Sequence, residues 1–361
     1  MTALEASLPP PRRRFAGFRW SCVSTPLNLA LTLALAALLV AILPGFLQWA
    51  IVEARWSGAP QACDHVSAAC WIFVEARWPQ LVYGTYPEPE RWRADLVFAL
   101  TLGAAAALLS PRIRRKDFLG LALIVAAPPV AAVLLLGGVL GLPPVPVTRW
   151  GGLLLTLVVG GAALAGALPV GLVLALCRRS SLPLIRFLAV AAIEFLRGVP
   201  LVPLLFLVMA ILPLLLAPGS NPSPLLRVIV AFILFNGAAM AEVFRGGLQA
   251  IPRGQFEAAR SLGLSGPKTM ALVVLPQAVA IVTPALLNVA VAIVKETTVI
   301  LIIGLFDFLS QIEAGLADPQ WLLGDQVRDT GYLFAALVYW AICFGLSRVS
   351  ARLELKRERR G

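Results

Sequence analysis

GGLLLTLVVGGAALAGALPVGLVLAL, residues 151–176, runs from end to end without a charged side chain. About 20 consecutive apolar residues cross the hydrocarbon core of a bilayer as a helix. Backbone polar groups in lipid must be paired within their own segment, so this stretch reads as a transmembrane helix. Outward from it, comparable runs fall at roughly 27–50, 95–110, 118–141, 183–216, 225–246, 272–305 and 331–348. The expectation is an all-α integral membrane protein of about eight transmembrane helices. The second run is short for a span. The fifth and seventh are long and contain Pro203, Pro213, Pro276 and Pro284, which predicts kinks, tilts or breaks.

Composition agrees. Of 361 residues, 59% are hydrophobic and 14% charged, too few charges for the surface of a soluble domain of this length. The runs are continuously apolar rather than alternating, which argues against a membrane β-barrel. The net charge of +11 would suit nucleic acid, but the basic residues are placed otherwise. Arg12, Arg13, Arg14 and Arg19 precede the first run. Arg112, Arg114, Arg115 and Lys116 lie between the second and third, and Arg178 and Arg179 follow the fourth. Arg253, Arg260 and Lys268 follow the sixth, and Arg348, Arg352, Lys356, Arg357, Arg359 and Arg360 follow or close the last. With eight spans all these segments share one side, and the positive-inside rule puts both termini in the cytoplasm. Arg12–Arg14 before a long apolar run without a small-residue cleavage pattern predicts a retained first helix.

Cysteines stand at 22, 63, 70, 177 and 343, without metal-type spacing, and the one histidine is His65 in a loop. A histidine-based metal or catalytic site is hard to build from that set. Cys63 and Cys70 lie in the long loop at 51–94. On an oxidising face they can pair, and the sequence leaves pair and free thiols open. Trp56, Trp71, Trp78 and Trp92 in the same loop read as interfacial anchors. The junction Pro143-Pro144-Val145-Pro146 suggests a break between residues 1–145 and 146–361.

Residues 251–276, IPRGQFEAARSLGLSGPKTMALVVLP, lie between two spans on the basic side. Glu257-Ala258-Ala259-Arg260 favours helix. Gly263 is placed to stop it in the left-handed conformation, and Ser265 to cap a second helix that opens with Gly266-Pro267. The first helix carries small residues and is narrow enough to enter a groove on a partner.

This segment resembles the EAA loop of binding-protein-dependent ABC importers. The match comprises Glu257, Ala258, Ala259, Gly263, Leu275 and Pro276 at the family's spacing, with Arg260 inside it and Val273 where isoleucine is usual. Glu194-Phe195-Leu196-Arg197-Gly198-Val199-Pro200 and Ala241–Ile251, AEVFRGGLQAI, resemble segments of the polar amino-acid (histidine/glutamine-type) permeases, as does Lys295-Glu296-Thr297-Thr298. The resemblance covers about residues 148–350. Gly84-Thr85-Tyr86-Pro87, Glu90-Arg91-Trp92-Arg93 and the loop cysteines resemble the larger permease subunit of general L-amino-acid importers.

The resemblance implies a five-helix permease core at 146–361 behind three additional N-terminal helices. It implies a cytoplasmic coupling loop at about 247–275 that docks on a separate ATPase. It also implies a second homologous permease subunit, a periplasmic amino-acid-binding protein and alternating access in a bacterial inner membrane. No GxxxxGK[ST] phosphate loop occurs, so the chain is expected to be no enzyme and to bind no cofactor, with ATP–Mg used by the partner ATPase.

Charges within the spans are the candidate site. Glu194/Arg197 and Glu242/Arg245 share the form E-x-x-R-G, which places each pair on one helix face as a structural ion pair near the cytoplasmic span ends. Lys295 and Glu296 lie deep in the seventh span, where ionisable residues mark either a substrate path or an interhelical salt bridge. Thr297, Thr298 and, eight residues before Glu296, Asn288 complete that candidate path. An ion-gradient-driven secondary transporter is the alternative, but no clear inverted repeat appears and the loop at 251–276 stays unexplained. A membrane enzyme lacks the necessary cluster of carboxylates and histidines.

Overall fold

A computed structural model describes residues 25–110, 116–217, 219–322 and 324–358. The basic N-terminal residues Arg12–Arg14 and Arg19, the residues Arg112, Arg114 and Arg115, and the terminal Arg359 and Arg360 lie outside the described residues. Among the described residues the structure is helical, and β-type pairing is confined to isolated bridges.

The helices in chain order are α1 Pro26–Leu47, α2 Ile72–Tyr83, α3 Arg91–Leu109, α4 Lys116–Leu136, α5 Gly152–Arg178, α6 Pro183–Gly198 and α7 Leu201–Leu215. They continue as α8 Pro224–Gln249, α9 Arg253–Ser261, α10 Gly266–Thr269, α11 Leu275–Glu296, α12 Phe308–Leu316 and α13 Asp325–Glu358. Local chemistry starts several of them. Pro26 and Pro224 occupy first-turn positions, where a missing N–H costs nothing. Thr25 accepts from the Asn28 N–H at 3.2 Å and Ser223 from the Leu226 N–H at 3.3 Å.

Among the described residues, five stretches are individually long and apolar enough to cross a membrane: Pro26–Val52, Gly152–Arg178, Pro224–Gln249, Gly266–Ile303 and Asp325–Ala351. The expected fifth span, 183–216, is instead the pair α6–α7, bent by 119°. Val199, just before Pro200, is extended (φ −95°, ψ 130°), because the proline ring crowds the helical conformation of the residue ahead of it. Helices α3 and α4 fall where the second and third spans were expected. α4 stops at Leu136, short of the expected 141, because Gly137 takes a positive φ of 66°.

The chain divides into two compact units. The first comprises residues 1–73 with 319–330. Its Cys63 and Cys70 form a disulfide. The Cys70 N–H donates to Thr330 Oγ1 at 2.9 Å, Trp49 Nε1–H to Gln326 Oε1 at 2.8 Å, and Phe73 meets Trp321 edge-on at 5.3 Å. Trp56 stacks on Trp71 at 5.3 Å.

The second unit comprises residues 74–318 with 331–361. Helices α5 and α8 form its most extensive pair. Gly171 permits their approach: a Cβ there would lie 2.7 Å from the Met240 Cβ and 2.9 Å from the Gly237 oxygen. Leu154, Leu155, Val159, Ala163, Val228, Phe232 and Ile293 fill the surrounding core.

The Pro-rich junction at 143–146 lies within this unit and is packed there. Arg93, wholly buried, donates to the Pro143 carbonyl at 2.8 Å and pairs with Glu90. The Val145 N–H donates to the Leu136 oxygen at 2.8 Å, and the Tyr86 hydroxyl to the Leu135 oxygen at 2.9 Å.

Candidate functional site

Helix α9 is dictated by its local sequence. It ends where Gly263 adopts φ 77°. The Gly263 N–H returns to the Arg260 oxygen at 2.9 Å and the Leu264 N–H to the Ala259 oxygen at 3.1 Å, the paired bonds of a Schellman stop. A Cβ on Gly263 would meet nothing within 4 Å, so backbone conformation rather than crowding favours glycine here. Ser265 stands at the N-cap of α10 in an extended conformation, but its side chain makes no capping bond.

Ala259 is the one buried residue of α9. Glu257, Ala258, Arg260, Ser261 and Leu262 face outward, Leu262 with 81% of its surface free. Two contacts hold the helix from behind. Arg179 lies 6.0 Å from the Phe256 ring, and Gln277 Nε2–H donates to Gln255 Oε1 at 3.2 Å. From α10 the chain enters α11 through a π-turn, Met270–Val274; Leu275 is half-buried there and Pro276 exposed.

Beneath α9 a carboxylate collects three guanidinium groups. Glu242, on α8, pairs with Arg178 at the end of α5, with Arg245 at 2.7 Å and with Arg197 on α6 at 4.0 Å. Glu194 pairs with Arg178 at 3.7 Å. The expected pairing of Glu194 with Arg197 along one helix is therefore replaced. Arg178, read from the sequence only as a basic loop residue, stands between the two acids, and Arg197 turns to Glu242. Three arginines on one largely buried carboxylate offset its desolvation better than one could. The next residue, Arg179, donates to the Leu248 carbonyl at 3.3 Å. The ends of α5, α6 and α8 are thus tied together where α9 begins.

The polar residues of α11 separate onto two sides. Glu296 accepts from Nδ2 of the buried Asn236 on α8 at 3.1 Å. Lys295 is exposed and faces an open cavity of about 270 Å³ lined also by Thr298, Leu309, Tyr332, Ala335, Ala336 and Tyr339. Among the described residues neither Lys295 nor Glu296 enters an ion pair. The Thr297 hydroxyl is buried and donates to the Val294 oxygen at 2.9 Å, and the Thr298 hydroxyl to the Lys295 oxygen at 3.1 Å. Asn288 is exposed and does not line the cavity.

One buried network escaped the sequence reading. Asp307 caps α12, accepting the Ser310 N–H at 3.0 Å, and also accepts the Tyr339 hydroxyl at 3.0 Å. The Phe308 N–H donates to Thr156 Oγ1 on α5 at 3.0 Å. Burial pushes the Asp307 carboxyl upward from its ordinary value, against the hydrogen bonds from Ser310 and Tyr339. The available signal was the Asp-x-x-Ser spacing ahead of an apolar helix; the tie to Tyr339 carries no local signature.

Several apolar helices long enough to cross a membrane, a few buried polar groups and a short exposed helix between two of them describe an integral membrane protein. The chain belongs to the family of binding-protein-dependent transport system inner membrane components, which matches residues 167–359. It is 41% identical over 360 residues to the inner membrane amino-acid ABC transporter permease protein YhdY of Escherichia coli K12, covering 98% of this chain and 97% of that one. It is 33% identical over 431 residues to the glutamate/glutamine/aspartate/asparagine transport system permease protein BztC of Rhodobacter capsulatus, covering 99% and 98%. Among solved structures, the crystal structure of an amino acid ABC transporter with histidines aligns with 57% of this chain and 92% of that one, at 29% identity and a TM-score of 0.49.

Proposed function

We propose that this chain is the permease subunit of an ATP-driven L-amino-acid importer and that α9 is the helix on which a separate ATPase docks. The carrying observation is the outward face of α9, ended by the Schellman stop at Gly263 and braced from behind by Arg179 and Gln277. ATP–Mg is used by the ATPase. A periplasmic binding protein delivers substrate, and a second, homologous permease chain completes the path. The amino-acid cargo is supported by the names of the two full-length relatives.

In this reading residues 146–361 form the permease core, with α5, the pair α6–α7, α8, α10–α11 and α13 as its five membrane elements, and residues 1–145 are an extension. Both termini and α9 face the cytoplasm of a bacterial cell. Glu257, Ala258, Ala259, Arg260, Gly263, Leu275 and Pro276 belong to the coupling element. Lys295 and Thr298, which share a cavity, are the best-placed residues of the substrate path. Lys295 supplies a cation for the substrate carboxylate, and the adjacent hydroxyls supply hydrogen bonds.

The test is reconstitution. The chain is co-expressed with its ATPase, second permease and binding protein, placed in proteoliposomes, and offered a panel of labelled L-amino acids. Uptake that requires both ATP on the α9 side and the binding protein is the expected result. Uptake that ignores ATP overturns the reading.

A further inference from the structure

Helix α6 presents three distinct sides. At about 100° per residue, Ala189, Ile193 and Leu196 form one stripe, and these are buried. Leu184, Phe187, Leu188 and Phe195 form a second, and each of these leaves more than half its surface free. Arg186, Glu194 and Arg197 fall together on the third, opposite the midpoint of the two apolar stripes. A span in the middle of a bundle has no such charged side. A helix lying in a membrane interface has this division: apolar surface toward the acyl chains and protein, charge toward water and headgroups.

The bend supports that placement. If α7 stands along the membrane normal, the 119° bend less a right angle leaves α6 within about 30° of the membrane plane. The charged side is basic where it is free. Glu194 is engaged by Arg178 at 3.7 Å, whereas among the described residues no ion pair or side-chain hydrogen bond engages Arg186. Arg179, bonded to the Leu248 carbonyl, precedes the helix, and Arg197, 4.0 Å from Glu242 with its side chain 48% exposed, closes it. Cytoplasmic leaflets carry anionic lipid, which attracts such residues.

We propose that α6 is an interfacial helix whose exposed apolar stripe lies on the acyl chains of the cytoplasmic leaflet, while Arg186, flanked by Arg179 and Arg197, binds anionic phospholipid headgroups. The leaflet assignment rests on the orientation proposed above; the interfacial placement does not.

The whole transporter complex in nanodiscs is the test. Spin labels at positions 184 and 195, in a background with the free cysteines replaced by serine, report depth. The two positions are eleven residues apart, about 16 Å along a helix. An interfacial α6 separates them in depth by at most about half of that, with both labels open to lipid-borne quencher. A full 16 Å gradient makes α6 half of a span and overturns the inference. Labels shielded from lipid and water quenchers alike place a subunit on the stripe and overturn it as well.

Charge is tested in discs of phosphatidylcholine with and without phosphatidylglycerol, counting phosphatidylglycerol retained on the purified complex. Arg186→Gln is expected to weaken retention about five-fold, the equivalent of about 1 kcal/mol per basic residue at an anionic surface, and Arg186→Lys to restore it. Equal retention in wild type and Arg186→Gln overturns the headgroup assignment. Failure of the wild-type chain to recover the ATPase, with α6 at its expected depth, would count against the coupling role of α9 only.

Discussion

Asn236 and Glu296 meet in the interior of the second unit: the amide of one, on α8, donates to the carboxylate of the other, on α11, at 3.1 Å. Asn236 also donates to its own helix at the Phe232 oxygen, at 3.2 Å. A neutral amide thus holds a carboxylate that the sequence suggested would find a cation. Asn236→Leu removes the donor and leaves Glu296 short of a partner, at an expected cost of about 1–3 kcal/mol. Glu296→Gln keeps an acceptor and removes the charge, and should cost less. Thermal unfolding of the purified complex should rank the two in that order; the reverse order would mean Glu296 is held by something other than Asn236.

Lys295 is the sharper functional test. Lys295→Met should reduce amino-acid uptake at least ten-fold, with ATPase association and basal ATP hydrolysis intact. Paired uptake and hydrolysis assays on one preparation check it. Uptake within two-fold of wild type would remove Lys295 from the substrate path.

At Gly263 the constraint is φ 77°, with open space around the position. Gly263→Asn should preserve ATPase co-purification, because asparagine tolerates the left-handed region. Gly263→Glu, bulky and acidic at the end of α9, should abolish it. Equal recovery of ATPase with both variants would show that α9 is not the docking element.

The basic cluster predicts a graded response. Arg178 touches both Glu242 and Glu194, whereas Arg197 reaches Glu242 only at 4.0 Å with its side chain half exposed. Exposed pairs contribute little and partly buried ones more. Arg178→Gln should therefore lower the melting temperature of the complex several degrees further than Arg197→Gln. Equal shifts would show that Glu242 does not discriminate between them.

Opening the Cys63–Cys70 loop should loosen the start of α13, because the Cys70 N–H holds Thr330. A short loop of this kind restrains the unfolded chain by about 2–3 kcal/mol. Cys63→Ser should speed amide exchange at residues 325–330. Thiol counting in denaturant should gain two cysteines on reduction of the wild-type protein and none in Cys63→Ser/Cys70→Ser.

The long apolar runs and the stop at Gly263 were legible because each depends on neighbours in sequence: hydropathy over about 20 residues, or one residue able to take a positive φ. The break between α6 and α7 was half legible. Hydropathy runs on through Val199, and only the proline at 200 marks the turn. What the sequence concealed is non-local. Nothing near Glu242 announces that Arg178, sixty-four positions earlier, reaches it. Nothing near Asp307 announces Tyr339, thirty-two positions later. Lys295 and Glu296 were legible as intramembrane charges, but their division between a cavity and an amide follows from which helix faces each of them.

The buried Arg93 has a bearing on how this chain can be shortened. Its guanidinium reaches forward over fifty residues to a carbonyl in the stretch that composition marks as a seam. A truncation that starts at residue 146 would discard both the cation and that carbonyl. It would also strip Tyr86 and Leu135 from the core that they share with Trp150 and Leu154. A core cut at the prolines should therefore be less stable than the full chain, because the front segment supplies part of the packing around Trp150 and Leu154.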